Sequence, residues 1–374
     1  MSDFRVVICG GGIAAIEGLL RLRRLAADAV QIDLVAPNEE LVYRPMAVRQ
    51  PFAFGPPSHY PLKGIAADTD ANWIQDTLAW VDRDGQVVHT GEDQELPFDA
   101  LLIAVGAHQV PPYEHVSTFS DAEADETYQG VLQDIEGGYS KSIAFLLPVG
   151  PVYPLPIYEL ALMTAERAAS MNQEIELSVA TPEASPLAIF GQTASGALSK
   201  LLADAGVTVY SSSLAVVPEA KHLLIQPQGA ELHPDRMIAI PRVEGPTIRG
   251  IAGGGAHGFI PIDSACCVPG SNSRIYAAGD AAAYPIKHGG LGAQMADTAA
   301  TAIARLAGAE VEHAPFWPVI QGKLLTGKDP LYISARLVGA TGFESDVYDT
   351  PPWPEDEKVI AEELGLYLAE LDNR

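Results

Sequence analysis

The sequence predicts an α/β protein with two strand–helix–strand dinucleotide-binding units, the first assembled from separate stretches of chain, plus a small C-terminal region. Three observations lead there. "VVICGGG" (Val6–Gly12) runs an apolar strand into three glycines, "SIAFLL" (Ser142–Leu147) opens a second strand–helix pattern, and "SRIYAAGD" (Ser273–Asp280) ends a late strand in a glycine and an acid. Short apolar runs without polar alternation read as parallel strands buried on both faces.

After the first glycines, "IAAIEGLLRLRRLAA" places apolar residues at helical spacing, with arginines toward its C-terminal end as the helix dipole prefers. "AVQIDLVAP" (Ala29–Pro37) supplies the next strand. Strand, glycine turn, helix and strand within about 30 residues form a Rossmann-like unit with a dinucleotide fingerprint. Gly10 permits the tight turn, Gly12 lets a diphosphate approach the backbone, and Ala15 lets helix and strand pack closely. Ile13 and Ala14 stand in the first helical turn, where free N–H groups and the positive dipole end converge. The second strand ends at Ala36–Pro37, where the fingerprint has a ribose-binding acid. Asp33 lies inside the strand, so Asn38, Glu39, Glu40 or a backbone group is expected to substitute.

The 374 residues suffice for two or three domains, and 48% hydrophobic with 19% charged residues is a globular composition. A net charge of −25 argues against nucleic acid and anionic membrane surfaces, and is compatible with a salt-tolerant host. No run reaches the roughly 18 apolar residues of a membrane span. "MSDFRVV" lacks the basic segment of a secretory signal, and a mean hydropathy of +0.10 comes without a basic amphipathic helix. Three cysteines cannot build a disulfide framework, so a cytoplasmic location is expected. Without Cys-x-x-Cys or His-Glu-x-x-His, no metal site is expected. "GKLLTGKD" (Gly322–Asp329) ends in Asp where a phosphate-binding loop needs Ser or Thr for Mg²⁺, and no Gly-x-Ser-x-Gly elbow occurs.

"LPFDALLIAVGAHQVPP" (Leu96–Pro112) is a further strand ending in a glycine turn, and "SRIYAAGDAAAYPIKHGGLGAQ" carries strand, Gly279-Asp280 and the start of a helix. With the N-terminal motif, in this order and spacing, nearly the whole chain resembles the flavoproteins of the pyridine nucleotide–disulfide oxidoreductase class. Within that class it is most similar to the sulfide:quinone reductase, flavocytochrome c sulfide dehydrogenase and type II NADH dehydrogenase branch. The resemblance implies FAD. Gly10, Gly12, Ile13, Ala14 and Ala15 would hold its pyrophosphate, Ala36 and Pro37 would lie at its ribose, and Arg44, beside Pro45 in "YRP", would contact the phosphates. Ala104, Val105 and Gly106 match the turn beside the cofactor, Val105 standing where the class has Thr. Gly279 and Asp280 match the acid that binds a ribityl hydroxyl. Lys287 looks like the lysine that adds charge beside the flavin in sulfide-oxidising relatives. His288 would relay a proton, or cap and hydrogen-bond locally. A helix starting at Gly290 or Leu291 would aim its N–H groups at the negative charge of a reduced flavin.

The second unit departs from the pattern. Its turn, "PVGPVYPLP" (Pro148–Pro156), lacks Gly-x-Gly-x-x-Gly, and proline has no N–H to offer a phosphate. Glu183 is the acid where a ribose could lie. This argues against NAD(P)H, although an NAD(P)H:acceptor oxidoreductase is an alternative. Cys9 is expected in the core, and Cys266 and Cys267, adjacent in an extended segment, are expected to point to opposite faces as packing plus one partly exposed thiol. A flavin-linked cysteine pair is not expected. Trp317, Tyr332 and Trp353 are candidates to line an acceptor pocket. The expected organisation is a FAD domain over 1–112 and 245–310, a second Rossmann-like domain over 113–244, and a lid or dimerisation region over 311–374. The functional expectation is an FAD-dependent oxidoreductase, a homodimer without a membrane span or nucleic-acid partner, passing two electrons from a small-molecule donor to a quinone or other small acceptor. A non-catalytic FAD-binding protein is the contrasting reading.

Overall fold

Buried β-branched runs separated by amphipathic helices require layered sheets, and two parallel sheets form the centre of the molecule. The computed structural model describes residues 4–52, 55–120, 124–312, 314–338, 342–353 and 358–373. Helices α1 (Ile13–Ala26), α2 (Leu62–Asp68), α3 (Ala124–Glu136), α4 (Leu155–Ser170), α5 (Gln192–Asp204), α6 (Gly289–Leu306) and α7 (Leu364–Asp372) surround them.

The first sheet has the spatial order Ile275–Ala277, Ala100–Ile103, Arg5–Cys9, Gln31–Val35, Asn72–Ile74, with every neighbouring pair parallel. A strand from late in the chain thus completes the sheet that the N-terminus begins. Val6, Val7, Ile8 and Cys9 are fully buried, as a central parallel strand requires. α1 and α6 pack closely because small residues face the contact. A side-chain carbon on Gly18 would stand 2.7 Å from Leu102 and 3.5 Å from Ala296, and one on Gly292 would stand 3.0 Å from the Gly279 Cα.

The second sheet runs Ser117–Thr118, Arg236–Ala239, Ser142–Leu146, Glu176–Ala180, Val207–Tyr210, again all parallel. Its core takes in Tyr128, Phe145, Tyr158 and Phe190. A three-stranded antiparallel sheet, Leu214–Glu219, His222–Gln226 and Ala230–Leu232, buries Leu223 and Ile225 in a smaller cluster with Leu146 and Ala239.

The C-terminal stretch divides between the two cores. Strands Val319–Leu324, Leu331–Val338 and Gly342–Tyr348 form an antiparallel sheet whose Ile320, Leu324, Ile333 and Ala335 join the second core. Helix α7 sends Leu364 and Leu368 into the first core. Residues 354–357 of the acidic terminal stretch lie outside the described residues. Among the described residues no helix is long and apolar enough to cross a membrane.

The cysteines depart from expectation in one respect. Cys9 is core, but Cys266 and Cys267 are both buried, so neither thiol is exposed. Cys266 sits at φ 59° in a turn rather than in extended chain. Its N–H bonds to the Asp263 carbonyl, and burial pushes its thiol up to about 12.

α7 is docked through a carboxylate. Glu17, fully buried on α1, accepts the N–H groups of Glu363 at 3.0 Å and Leu364 at 2.6 Å, the otherwise unpartnered donors of an α-helix start. Arg21 and Arg24 bind Glu363 at 3.0 and 2.6 Å. Burial, then the charge of Glu17, pushes the neighbouring Asp297 carboxyl up to about 8 against Arg21's opposing effect. The folded chain therefore keeps a proton that an unfolded Asp loses near 3.8, and stability declines as pH rises from about 4 to 8. Asp297→Asn removes that decline. Thermal unfolding is expected to show a Tm a few degrees above the parent at pH 8.5 and little difference at pH 5.

Candidate functional site

Four loops leave the C-terminal ends of the first sheet's strands and meet around a cavity of about 850 Å³. Gly10–Ala14 follow the first strand, Pro37 and Asn38 the second, Ala104–Gln109 the third, and Ala278–Asp280 the strand at Ile275–Ala277. Such a crevice, where strand order reverses about the first strand, is where open α/β sheets bind ligands.

The three glycines have separate reasons. Gly10 has φ 136°, and a side-chain carbon there would lie 2.2 Å from the Ala104 carbonyl oxygen, so the fold itself requires glycine. One on Gly11 would crowd Leu62 at 2.9 Å and Ala36 at 3.0 Å. Gly12 has ordinary extended φ of −94°, and a carbon added there meets nothing within 4 Å. No packing constraint explains Gly12; open space for a ligand against the backbone does. It is also the N-cap of α1, with no side-chain cap and no acid in the first turn. The first intrahelical bond runs from Ile16 N–H to Gly12 C=O at 3.1 Å, so the earlier amides have no helical acceptor. An anion is the natural partner of such an end.

Opposite, α6 begins at Gly289, one residue before the expected start. Its first bond is Gly292 N–H to His288 C=O at 3.0 Å, leaving the amides of Gly289, Gly290 and Leu291 ahead of it. Gly289 and Gly292 line the cavity; the Leu291 side chain is core. Asp280 lines the wall, its carboxyl raised by burial and lowered by Lys287, and among the described residues no group donates to it. Arg44 and Pro45 stand at the rim, the guanidinium exposed and without an acidic partner among the described residues. Val105 and Gly106 complete the wall.

Other expected residues are placed differently. Ala15 and Ala36 are fully buried and do not line the cavity: Ala15 serves the helix packing, and the Ala36 side chain turns against Gly11. Asn38 and Glu40 line it instead, while Asp33 is held in-sheet by Asn72 at 2.8 Å. The ammonium of Lys287 is engaged locally. It donates to the Ala282 and Asp280 carbonyls at 2.6 and 3.1 Å and lies 3.5 Å from the Phe259 ring centre, with burial lowering it to about 8. It pins the 280–287 loop from within the cavity wall, which Lys287 and His288 both line. His288 is buried and caps nothing with its side chain. Trp317, Tyr332 and Trp353 do not line the cavity; Trp353 is buried edge-on to Tyr332, and Trp317 is exposed.

Three lining or adjacent groups escape a sequence reading as site residues. Tyr153, from the proline-rich turn, packs its ring 4.7 Å from that of His288, and its buried hydroxyl has no hydrogen-bond partner among the described residues. Lys358 lines the cavity and binds Glu159 of α4 at 2.6 Å, both almost fully buried. Glu159 inside "PIYELALM" was the one available signal: a carboxylate on an apolar helix needs a partner.

No protein-family model matches the chain, and no curated protein does. Solved structures do. The sulfide:quinone oxidoreductase of the hyperthermophilic bacterium Aquifex aeolicus superposes at a TM-score of 0.81, with 18% identity, over 93% of this chain and 87% of that one. The ferredoxin reductase for the CYP199A2 system of Rhodopseudomonas palustris follows at 0.64, with 18% identity, over 92% and 88%. An NAD-dependent persulfide reductase from A. fulgidus gives 0.62, with 18% identity, over 90% and 64%. The chain has the fold of these reductases.

Burial, then the charge of Lys358, pushes His288 down from 6.5 to about 4. Its ring is neutral in the folded chain where an unfolded His becomes protonated, so stability is lost as pH falls from about 6.5 toward 4. Between pH 7 and 4.5 this costs about 2 kcal/mol. Denaturant unfolding of His288→Gln is expected to lose that much less stability across the interval than the parent.

Proposed function

We propose that the chain is an FAD-dependent oxidoreductase that takes an electron pair from a small donor other than NAD(P)H and passes it to a quinone or similar small acceptor. The cavity suits FAD in its chemistry. The N-terminus of α1 with the open face of Gly12 takes the diphosphate, Arg44 lies where phosphates approach the rim, and the donor-less Asp280 carboxylate takes a sugar-alcohol hydroxyl. FAD, when bound, supplies the two-electron chemistry. The unpartnered first-turn amides of α6, at the cavity wall, would favour the negative charge of a reduced flavin held there.

The observation that carries the exclusion of NAD(P)H is the covering of the second unit by the chain itself. α4 opens at Leu155 with Pro154 as its N-cap and Pro156 in its first turn, removing amides from the place a diphosphate would use. Glu159, near that start, accepts the Leu325 N–H at 3.0 Å and pairs with Lys358. At α5, a side-chain carbon on the N-cap Gly191 would lie 2.3 Å from the Phe343 carbonyl oxygen, and Ser345 accepts the Ala194 N–H at 3.1 Å. Glu183, the candidate ribose acid, is bound by the Tyr158 hydroxyl at 2.6 Å. The C-terminal sheet therefore takes up groups that a second dinucleotide would need.

None of the three cysteines lines the cavity, so electrons enter without a protein thiol. A quinone gains two protons with two electrons. The His288 corner holds exchangeable protons on the Tyr153 hydroxyl, kept protonated by burial and by Glu159, and on the Lys358 ammonium.

Anaerobic spectrophotometry of the purified flavin-bound protein tests this reading. NADH and NADPH are expected to leave the flavin oxidised, and flavin reduced with one equivalent of dithionite is expected to be reoxidised by a water-soluble ubiquinone analogue. Stoichiometric bleaching by either nicotinamide, or reduced flavin inert to quinones, would overturn it.

A further inference from the structure

Metal ligands can be hidden from a linear motif search when they lie on neighbouring antiparallel strands, because the pairing register rather than the spacing brings them together. His222 begins the strand His222–Gln226, and Glu231 lies on its partner Ala230–Leu232, with Leu223 opposite Leu232 and Leu224 opposite Glu231. Extending that register by one residue sets His222 opposite His233. Side chains alternate across a strand, so His222, Glu231 and His233 share the face opposite to the buried Leu223. Among the described residues this is the group of His, Cys, Asp and Glu side chains whose ligand atoms converge within 4.8 Å.

The details suit a cation better than a hydrogen bond. The two imidazole rings stack with centres 5.1 Å apart at 23°. His222 Nε2 is buried and has no hydrogen-bond partner among the described residues, although Glu231 Oε1 lies 2.8 Å away, because the contact is misaligned for N–H···O. His233 Nε2 lies 3.7 Å from the same oxygen. Tetrahedral Zn²⁺ with bonds of about 2.0–2.1 Å places its ligand atoms about 3.3 Å apart, between these two separations. A second acid, Glu219, stands 3.8 Å from His222 Nδ1 on the other side of the ring.

We propose that His222, Glu231 and His233 form a surface site for a borderline divalent transition metal, Zn²⁺, Ni²⁺, Co²⁺ or Cu²⁺, with two imidazole nitrogens and one carboxylate as ligands. Two nitrogens select these ions over Mg²⁺ and Ca²⁺, which prefer oxygen. Three protein ligands leave a coordination position to water or to a group from another molecule. The ion would tie the end of one strand to its neighbour. None of these residues lines the large cavity, so the site stands or falls independently of the flavin reading.

The test is titration calorimetry of the untagged, metal-stripped full chain with ZnCl₂, with CoCl₂ added in parallel to follow the visible absorption of bound Co²⁺. One Zn²⁺ per chain is expected, with no comparable uptake of Mg²⁺ or Ca²⁺, and a Tm that rises with added Zn²⁺. His233→Gln, at a position 68% exposed, is expected to weaken Zn²⁺ binding about tenfold or more without lowering the metal-free Tm. Glu231→Gln should weaken it as well, and His59→Gln, at an exposed histidine elsewhere, should not. No uptake, equal uptake of Mg²⁺, or unchanged affinity in a His222→Gln/His233→Gln double variant would overturn the proposal.

Discussion

A helix whose first amides have neither a side-chain cap nor an acid nearby needs a negative partner, and the cavity is organised around that need. α1 starts at such an end, directly after a strand, with Gly12 open to the cavity. α6 brings a second uncapped start to the same space. The two can share one cavity because the helices touch through Gly18, Gly292 and Ala296, which let their backbones come close. A larger side chain at Gly18 would press on Leu102 of the sheet and separate helix from sheet. Packing of small residues, Gly292 at the cavity wall and Gly18 and Ala296 behind it, therefore positions the two helix starts.

The second unit faces the same requirement and meets it internally. Its sheet is also parallel, with helices following strands, yet the helix starts are met by the chain's own groups. Ser345 accepts an amide of α5, Glu159 turns to Leu325 and Lys358, and prolines remove donors from α4. One architecture thus yields a ligand cavity in one half and an intramolecular joint in the other. Tyr153 links the two, since the proline-rich turn of the second unit contributes a wall to the first cavity. The likeness to solved reductases spans both halves.

Much of this was legible in the sequence. Apolar runs located the parallel strands, and Gly10, Gly12 and Asp280 stood out because each occupies a position where a particular shape or charge is needed. Local order is read well when the cause is local. Ala36 and Leu291 show the limit: both sit in the right loop or turn, but the side chain faces the core, and only tertiary packing decides that. Cys266 misled because a left-handed turn residue was read as extended chain. Lys287 and His288 stood out in the sequence and both line the cavity, but their partners, Phe259 and Tyr153, come from distant loops. Lys358 is signalled only through its partner Glu159, and the His222–Glu231–His233 group not at all, since long-range contact or strand register alone brings these residues together.

The central claim is that backbone amides at the start of α1 hold a diphosphate. Its most direct measurement compares the affinities of flavin-free protein for FAD and for riboflavin, in the parent and in Gly12→Val, by quenching of flavin fluorescence. FAD is expected to bind the parent about a hundredfold or more tighter than riboflavin, and the substitution to erase most of that difference while leaving riboflavin affinity and Tm nearly unchanged. Equal affinity for the two flavins in the parent, or FAD binding indifferent to Gly12→Val, would contradict the account.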